Sequence, residues 1–303
     1  MLKKGYLQIS FGWIFAIVVG IVILFLAIFL ASKLINIGET KVDSSTAKEI
    51  EVLLNPLETS FGEEKTTSFI MPSEARINNK CDNFGNFGTQ GISVSQKTFG
   101  KYSNTNIDIS FENKYIFSDE FIEGKKFYLN SKPLNLPFKI ADMIFITSKK
   151  YCFLDFPEEI EKDIPLQENI IIEEGKCSEE DVKVCFSDED GCDIYVNYAQ
   201  GYVEKNKEKV YFSENLLYGA IFSKPDIYEC QTKRIMQRAS QLYILNYNKA
   251  YLIQEKCQSN LNEELLSFSN DLKNYEKSED LENIVITSNI INEKNKNEEC
   301  KLF

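Results

Sequence analysis

Residues 14–31 read IFAIVVGIVILFLAIFLA, a run in which no side chain is polar. Fourteen of these eighteen residues are Leu, Ile, Phe or Val. Each of those types contributes roughly −0.3 to −0.6 kcal/mol to insertion at the bilayer centre. As an α-helix the run is roughly 27 Å long, close to the ~30 Å hydrocarbon core of a bilayer. A helix that is apolar on every face has no side to present to water. The run therefore predicts a transmembrane helix, which with its flanks covers residues 9–35.

The charges on either side of this helix predict its orientation. Lys3 and Lys4 precede it, whereas Glu39 and Asp43 follow soon after it. Because positively charged flanks stay on the cytoplasmic side, residues 1–8 are expected in the cytoplasm and the rest of the chain outside. A cleaved secretory signal is the competing interpretation, but its apolar region spans only about 7 to 15 residues. The longer run favours a retained, single-pass anchor in the cell membrane.

The part of the chain beyond this helix is acidic. The whole sequence of 303 residues has 34 Lys and Arg against 46 Asp and Glu, a formal net charge of −12. Residues 1–38 carry three lysines and no acid, so the remainder has 31 basic against 46 acidic residues, a net charge of −15. A domain of that charge repels a phosphate backbone, so no nucleic-acid partner is expected.

Histidine is absent from the sequence. Ser-His-Asp and Cys-His nucleophile arrangements, and zinc sites with imidazole ligands, all require it and are therefore excluded. We expect a protein that is not an enzyme and has no cofactor or metal site. A histidine-free envelope hydrolase that uses paired carboxylates is kept as an alternative.

The cysteines lie only in the part of the chain expected outside, where thiols are oxidised. An even number in such a compartment is typical of a disulfide framework, so four disulfides are predicted. The eight residues are Cys81, Cys152, Cys177, Cys185, Cys192, Cys230, Cys257 and Cys300.

The region before residue 182 has the character of a mixed α and β domain. Between residues 66 and 139, short β-branched and aromatic runs alternate with Gly, Asn and Pro, which predicts strands and turns. Residues 84–91 (FGNFGTQG) are interpreted as a turn, because a phosphate-binding loop requires a strand before it and a helix after it. Residues 141–148, 157–164 and 169–173 then indicate one strand–helix–strand passage.

Two alternating runs further on predict a β-hairpin. Residues 182–186 and 192–196 flank the sequence SDEDG at 187–191. An Asp-Gly pair between such runs is a strong hairpin signal. The antiparallel pairing would place Cys185 opposite Cys192, so we predict a disulfide between them.

Three helices are expected in the last part of the chain. Apolar residues recur at three- and four-residue spacing after Pro225, again over residues 260–275, and again from Ser278. Short connections favour up-down-up packing, which brings the ends of the first and third helices together. We therefore predict a disulfide between Cys257 and Cys300, and the pairing of the other four cysteines stays open.

A basic cluster lies early in the first of these helices and is the candidate site for a ligand or partner. It consists of Lys233, Arg234 and Arg238. In so acidic a domain these cations are candidates to receive an anionic group. The alternative is that they pair with nearby carboxylates of the same domain or form a solvated helix face.

The N-terminus resembles the class III signal of archaeal pilins and archaellins. The resemblance rests on Lys3-Lys4-Gly5, followed by Gln8-Ile9-Ser10-Phe11 and the apolar run. It implies cleavage by a membrane peptidase between Gly5 and Tyr6, and packing of the apolar helix into a filament core. Ser10 stands at the fifth position after that cut, where the family has glutamate. The rest of the chain resembles, more loosely, uncharacterised archaeal single-pass membrane-anchored proteins.

Together these features predict an α+β protein in five parts. They are a cytoplasmic N-terminus (1–8), a transmembrane helix (9–35), a helical stalk (36–60), a disulfide-stabilised mixed ectodomain (61–225) and a C-terminal helical hairpin or three-helix cluster (226–303). The expected function is a membrane-tethered extracellular binding or structural module of the cell envelope, with the lipid bilayer and an envelope protein as partners. A pilin-like subunit or accessory of a type IV filament or secretion system is the alternative.

Overall fold

The computed structural model describes residues 12–31, 33, 65–98, 100–102, 109–164, 167–172, 175–187, 191–253 and 260–303. Helix α1, Gly12–Ala31, has a mean hydropathy of 3.3 and none of its residues is buried against the rest of the chain. By length and composition it is suited to cross a membrane. The predicted stalk at residues 36–60 lies outside the described residues.

The remaining described chain is a mixed α+β structure with two sheets, as the composition of the runs predicts. The strands of the first sheet are β1 (Lys65–Asp82), β2 (Thr89–Thr98), β3 (Lys101–Tyr102), β4 (Ile109–Phe111), β5 (Tyr115–Phe117), β6 (Phe121–Asn135) and β7 (Lys139–Thr147). Their order is β3-β2-β1-β6-β7-β5, and β4 pairs with β2. The pairs are antiparallel except for β5 with β7, which is parallel.

This sheet is buried on both faces, because successive side chains of a strand point to opposite sides. On β7, Ile144 and Ile146 belong to an apolar core formed by the first sheet alone. The alternate residues Met143 and Phe145 belong to a larger core. That larger core runs from Tyr115 to Leu302 and includes both sheets and the helices that follow.

The second sheet has the order β13-β12-β11-β10-β8-β9. Its strands are β8 (Tyr151–Leu154), β9 (Ile170–Ile171), β10 (Val182–Cys185), β11 (Ile194–Asn197), β12 (Tyr202–Lys205) and β13 (Glu208–Tyr211). Of the predicted strand–helix–strand passage, the helix and the second strand are present as α2 (Glu158–Glu161) and β9, and the strand parallel to β9 is β8. The run at residues 141–148 is β7 of the first sheet instead, because the chain turns at residues 148–150 and crosses to the second sheet.

The predicted hairpin at residues 182–196 is wrong, since β10 and β11 pair in parallel. Asp193 turns the chain back to the start of β10. Its carboxylate accepts a hydrogen bond from the Lys183 N–H at 2.8 Å, and its own N–H donates to the Lys183 carbonyl at 3.1 Å. Alternating apolar residues give the same sequence pattern in both orientations. The true hairpins of this sheet are β11–β12 and β12–β13.

The helices after the second sheet are α3 (Leu216–Phe222), α4 (Pro225–Ile253), α5 (Asn262–Lys273) and α6 (Leu281–Asn297). The three predicted helices correspond to α4, α5 and α6, the last preceded by a 3₁₀ turn at Ser278–Asp280. Helix α4 contacts β1, β5, β7 and β13 as well as α5. The division at residue 225 and the three-helix cluster stay predictions.

Close contacts fix these helices to their neighbours. The Ser240 hydroxyl on α4 donates to the Ser269 carbonyl on α5 at 2.8 Å, and the rings of Tyr243 and Phe268 meet edge to face. Helix α3 lies very close to β5, because a Cβ atom added to Gly219 would be 2.8 Å from Cδ1 of Phe117. Only glycine allows that approach.

Disulfides join both near and distant parts of the chain, with sequence separations from 7 to 149 residues. The predicted Cys185–Cys192 bond is confirmed. The structure also resolves the pairing that the sequence leaves open, as Cys81–Cys230 and Cys152–Cys177. Of the remaining predicted pair, Cys300 is disulfide-bonded, and Cys257 lies outside the described residues.

Candidate functional site

The structure does not bring the three cations of the basic cluster to one surface. Lys233 forms an ion pair with Glu276 at 2.5 Å. Arg238 donates through Nε to the Ile140 carbonyl at 2.7 Å. Arg234 is fully buried. The described contacts of all three are made within the chain, and their role as a ligand site stays a prediction.

Arg234 is a buried guanidinium held by backbone carbonyls. It donates to the carbonyls of Phe87 at 3.0 Å, Lys114 at 2.9 Å and Glu112 at 3.0 Å. The Gln231 side-chain oxygen accepts a further bond at 2.8 Å. Burial lowers the pKa of Arg234 to about 10, against the opposing effects of Tyr115 and Asp82. Its charge is therefore permanent at neutral pH, and it joins α4 to two separate loops.

One of these loops connects β1 and β2 and carries exposed aromatic rings. We call residues 83–88 the aromatic loop; their sequence, NFGNFG, repeats one tripeptide. Phe84 is 84% exposed and Phe87 39% exposed. Gly88 has φ +57, and a Cβ atom there would be 2.2 Å from the Asp82 carbonyl oxygen. The loop is thus a tight turn that only glycine can close.

Residues on one face of α4 attach the aromatic loop to the helix. Cys230, Arg234 and Gln237 are spaced by four and three residues, so they share a face of the helix. Cys230 is bonded to Cys81 at the end of β1, and the Gln237 amide reaches the Asn83 carbonyl at 3.5 Å. A disulfide, a guanidinium and an amide on one helix therefore fix a single loop.

A buried amide network extends this attachment into the first sheet. Gln231 on α4 donates to the side-chain oxygen of Gln90. Gln90 donates to the side-chain oxygen of Asn79 at 2.5 Å, and Asn79 donates to the Ser118 hydroxyl at 2.7 Å. Buried polar groups of this kind specify one arrangement, because each loses its partner if the elements shift.

A second surface feature is a cleft of about 660 Å³ where the chain passes from the first sheet to the second. We call it the Lys205 cleft. The volume lies within the usual range of ligand pockets, roughly 300–1,000 Å³. It is lined by Asp119, Lys149, Tyr151, Glu179, Glu180, Asp181, Val182, Cys192, Asp193, Ile194, Tyr195, Glu204, Lys205, Asn206, Lys207 and Ile221. Most of these side chains are polar, and carboxylates outnumber ammonium groups.

Lys205 lies at the end of β12 and caps the C-terminus of α3. Its Nζ donates to the carbonyl oxygens of Ile221 and Ser223, the latter at 2.7 Å. Burial lowers the pKa of Lys205 to about 7, Asp119 acts to raise it, and Lys149 acts to lower it. Lys205 is therefore an amine whose charge changes near neutral pH, unlike an ordinary surface lysine.

An ion pair forms one wall of the Lys205 cleft. The ammonium of Lys149 is 2.6 Å from a carboxylate oxygen of Asp119, and both side chains are partly exposed. The buried Tyr151 ring lies beside them, and burial raises the pKa of its phenol far above the usual value. Tyr151 is therefore protonated at physiological pH, and the wall offers donors and acceptors to a polar ligand.

Burial raises the pKa of two described carboxyl groups, and they lie at different places. Glu229 accepts hydrogen bonds from the Ser278 N–H and hydroxyl, which oppose the effect of burial on its pKa. Glu214, at φ +47, lines a cavity beside α6. Neither lines the Lys205 cleft, so the paired-carboxylate hydrolase gains no support from these two residues.

Within the described ranges, no group of three or more Cys, Asp or Glu side chains is placed to hold a metal ion. Comparison of the chain with known protein families, curated proteins and solved structures finds no match. The fold and the two surface features are therefore interpreted from their own chemistry.

The sequence does not single out Lys205, and it places Arg234 in a basic cluster with Lys233 and Arg238 as a candidate ligand site. Lys205 lies in the highly charged stretch EKNKEK at residues 204–209, which has the composition of a solvated turn. For Arg234 a signal was present, because it follows Cys230 by one helical turn and precedes Ile235 and Met236, both buried. An arginine on the same helix face as a disulfide cysteine, followed by apolar residues, favours a buried guanidinium that binds a neighbouring loop.

Proposed function

We propose that the protein is a membrane-tethered binding module on the outer face of a cell membrane. In this proposal α1 crosses the bilayer with the N-terminus in the cytoplasm, and the rest of the chain is exported. The observation that carries it is the contrast between α1, which is apolar and unburied, and the domain, which contains three described disulfides. Disulfides persist in oxidising compartments, which supports an outer location for the domain.

The Lys205 cleft is the proposed binding surface. Carboxylates, lysine amines, tyrosine rings and the Asn206 amide line one space there. Such groups bind hydroxyl groups through paired donors and acceptors, and the excess of carboxylates disfavours anions. We expect an uncharged, hydroxyl-rich ligand of the envelope, such as a glycan.

The tether is tested on native membranes. The protein is expected to stay in the pellet after alkaline carbonate extraction, and its cysteines to react with an alkylating reagent only after reduction. External protease is expected to digest the domain and leave a short fragment that contains residues 14–31. Release by carbonate, or free alkylation without a reductant, would contradict the proposal.

The binding surface is tested by titration calorimetry of the full chain in detergent with a neutral disaccharide such as maltose. Phosphate and spermidine serve as the anionic and cationic comparators. Binding of the disaccharide that is weakened by Asp119→Asn and unchanged in Lys233→Gln would support the cleft. A response to phosphate alone would count against an uncharged ligand.

The pilin-like alternative rests on the N-terminal resemblance and has its own test. A mature chain that begins at Tyr6 would support it, and an intact Met1 would remove it. Mass spectrometry of the protein purified from its native membrane gives the answer directly.

A further inference from the structure

We infer that the aromatic loop inserts its phenylalanine rings into the bilayer to which the chain is tethered. This inference rests on the proposed membrane tether. It assigns to residues 83–88 a second, reversible membrane contact, made by the domain rather than by the anchor. The Lys205 cleft is a separate surface and plays no part in it.

The composition of the loop fits entry into lipid. It has two exposed phenylalanines and no charged side chain among its six residues. Phe84, at 84%, is the most exposed of the large apolar residues described, α1 included. Phenylalanine is among the apolar side chains that membrane-surface segments bury at the boundary between headgroups and acyl chains. The six residues of the loop bring no charge of their own to the membrane.

The backbone of the loop is already supplied with partners from the protein. The Phe84 N–H donates to the Asp82 side chain at 2.9 Å. The Phe87 carbonyl accepts from Arg234 at 3.0 Å, and the Asn83 carbonyl lies 3.5 Å from the Gln237 amide. Backbone groups without partners are what keeps ordinary loops out of lipid. These attachments remove part of that cost.

Rigidity also favours insertion. The Cys81–Cys230 disulfide and the buried Arg234 fix the loop before it meets any partner. A loop held in its binding conformation loses little conformational entropy when it binds. The Cys81–Cys230 disulfide and Arg234 therefore do more than stabilise the core. They hold the two phenylalanine rings in a fixed position.

The tether brings the loop within reach of the bilayer. Residues 32–64 separate α1 from β1, and a chain of this length spans at most about 110 Å. Strand β1, with 18 residues, is shorter, at roughly 60 Å. The loop at its far end can thus reach the membrane. A tethered contact is intramolecular, so it requires less intrinsic affinity than the same contact made by a free domain.

Charge selects the kind of lipid surface. The part of the chain beyond residue 38 carries a net charge of −15, so an anionic surface repels it. A neutral surface does not, and the uncharged loop needs no counter-charge. Phosphatidylcholine vesicles are therefore the appropriate probe.

The experiment uses the full chain reconstituted in phosphatidylcholine vesicles, with and without brominated acyl chains. The native protein has one tryptophan, Trp13, which reports on the anchor. The double variant Trp13→Phe/Phe84→Trp reports on the loop. A matched control, Trp13→Phe/Ile70→Trp, places the same indole at a residue that is 67% exposed near the other end of β1. Far-UV circular dichroism confirms that each variant folds.

We expect bromolipid to quench the indole at position 84 about threefold more than the indole at position 70, because only the loop enters lipid. Adding Phe87→Asp to the position-84 reporter should abolish the difference. Equal, weak quenching at positions 84 and 70 together with quenched Trp13 would overturn the inference, and would leave an apolar pocket of a partner protein as the site for Phe84. Unquenched Trp13 would instead remove the tether, so the two failures are distinguishable.

Discussion

Two cations, the fully buried Arg234 and the half-buried Lys205, make the same kind of hydrogen bond but titrate in different pH ranges. Both donate to backbone carbonyls, Arg234 to two loops of the first sheet and Lys205 to the end of α3. Burial lowers the pKa of both, to about 10 for Arg234 and about 7 for Lys205. Because a guanidinium starts from a higher pKa, it stays charged, whereas the ammonium titrates. The contacts of Arg234 therefore keep a charged donor at neutral pH, whereas the charge of Lys205 responds to pH.

The largest expected effect on the free energy of unfolding comes from replacing Arg234. Arg234→Met removes a buried guanidinium that donates to the carbonyls of Phe87, Glu112 and Lys114, and should destabilise the domain by about 3–5 kcal/mol. The measurement is urea unfolding of the full chain in detergent, followed by near-UV circular dichroism. The stability of Arg234→Lys should lie between those of Arg234→Met and the native chain, because an ammonium cannot donate in the planar, forked geometry of a guanidinium. Equal stability of Arg234→Met and the native chain would show that the contacts are incidental.

The next largest effect concerns the disulfide beside Arg234. Replacing Cys81 and Cys230 by alanine opens a link between residues 149 apart and should cost about 2–5 kcal/mol. Since this disulfide and Arg234 hold the same loop, the combined variant should show a coupling of about 0.5–3 kcal/mol by a double-mutant cycle. Strict additivity would mean that the two act on separate parts of the domain.

A smaller effect is the pH dependence of the free energy of unfolding, to which Lys205 contributes and Arg234 does not. The pKa of Lys205 is lower in the folded than in the unfolded chain, where it is near 10.5. Between pH 7 and 10.5 the unfolded state therefore binds the extra proton, so the free energy of unfolding should rise as pH increases from 7 to 9.5. Lys205→Met should reduce that rise by about 1–2 kcal/mol.

Two comparisons sharpen this pH prediction. Arg234→Met should leave the slope unchanged, because its guanidinium is charged in both states over this range. Lys132, also buried and with its pKa lowered to about 8 by burial, should contribute to the slope in the same direction. A flat stability profile in the native chain would show that both ammonium groups keep their protons when folded.

The smallest effect is expected at Lys233, a half-buried residue of the basic cluster whose ion-pair partner is exposed. Lys233 pairs with Glu276, whose side chain is 72% exposed, and such surface pairs contribute about 0–1 kcal/mol. Lys233→Gln should therefore change the urea midpoint very little and serves as the control for Arg234. A large loss of stability would mean that the cluster acts as a unit.

The sequence predicts well those features that follow from local periodicity. The apolar run gives α1, and the three- and four-residue spacing gives α4 to α6, with the predicted starts within a few residues of the observed ones. The Cys185–Cys192 bond also follows, because the two residues are close along the chain. Chain proximity limits the possible partners even though the hairpin predicted with it is wrong.

The features that depend on distant contacts were not predictable. The parallel pairing of β10 and β11 depends on Asp193, whose role is set by its bonds to Lys183. The burial of Arg234 depends on carbonyls more than 100 residues away along the chain. The lowered pKa of Lys205 depends on α3 covering a strand end. Each is a fact of tertiary structure that composition and spacing do not encode.

Gly219 has a consequence for the cleft on the other side of α3. Its missing side chain sets the distance between the helix and the Phe117 ring, and the carbonyls of Ile221 and Ser223 lie at the end of the same helix. A methyl group at position 219 would collide with the Phe117 ring and displace α3, which would move those carbonyl acceptors relative to Lys205. The size of one residue in the core thus adjusts how readily the half-buried Lys205 amine gains a proton.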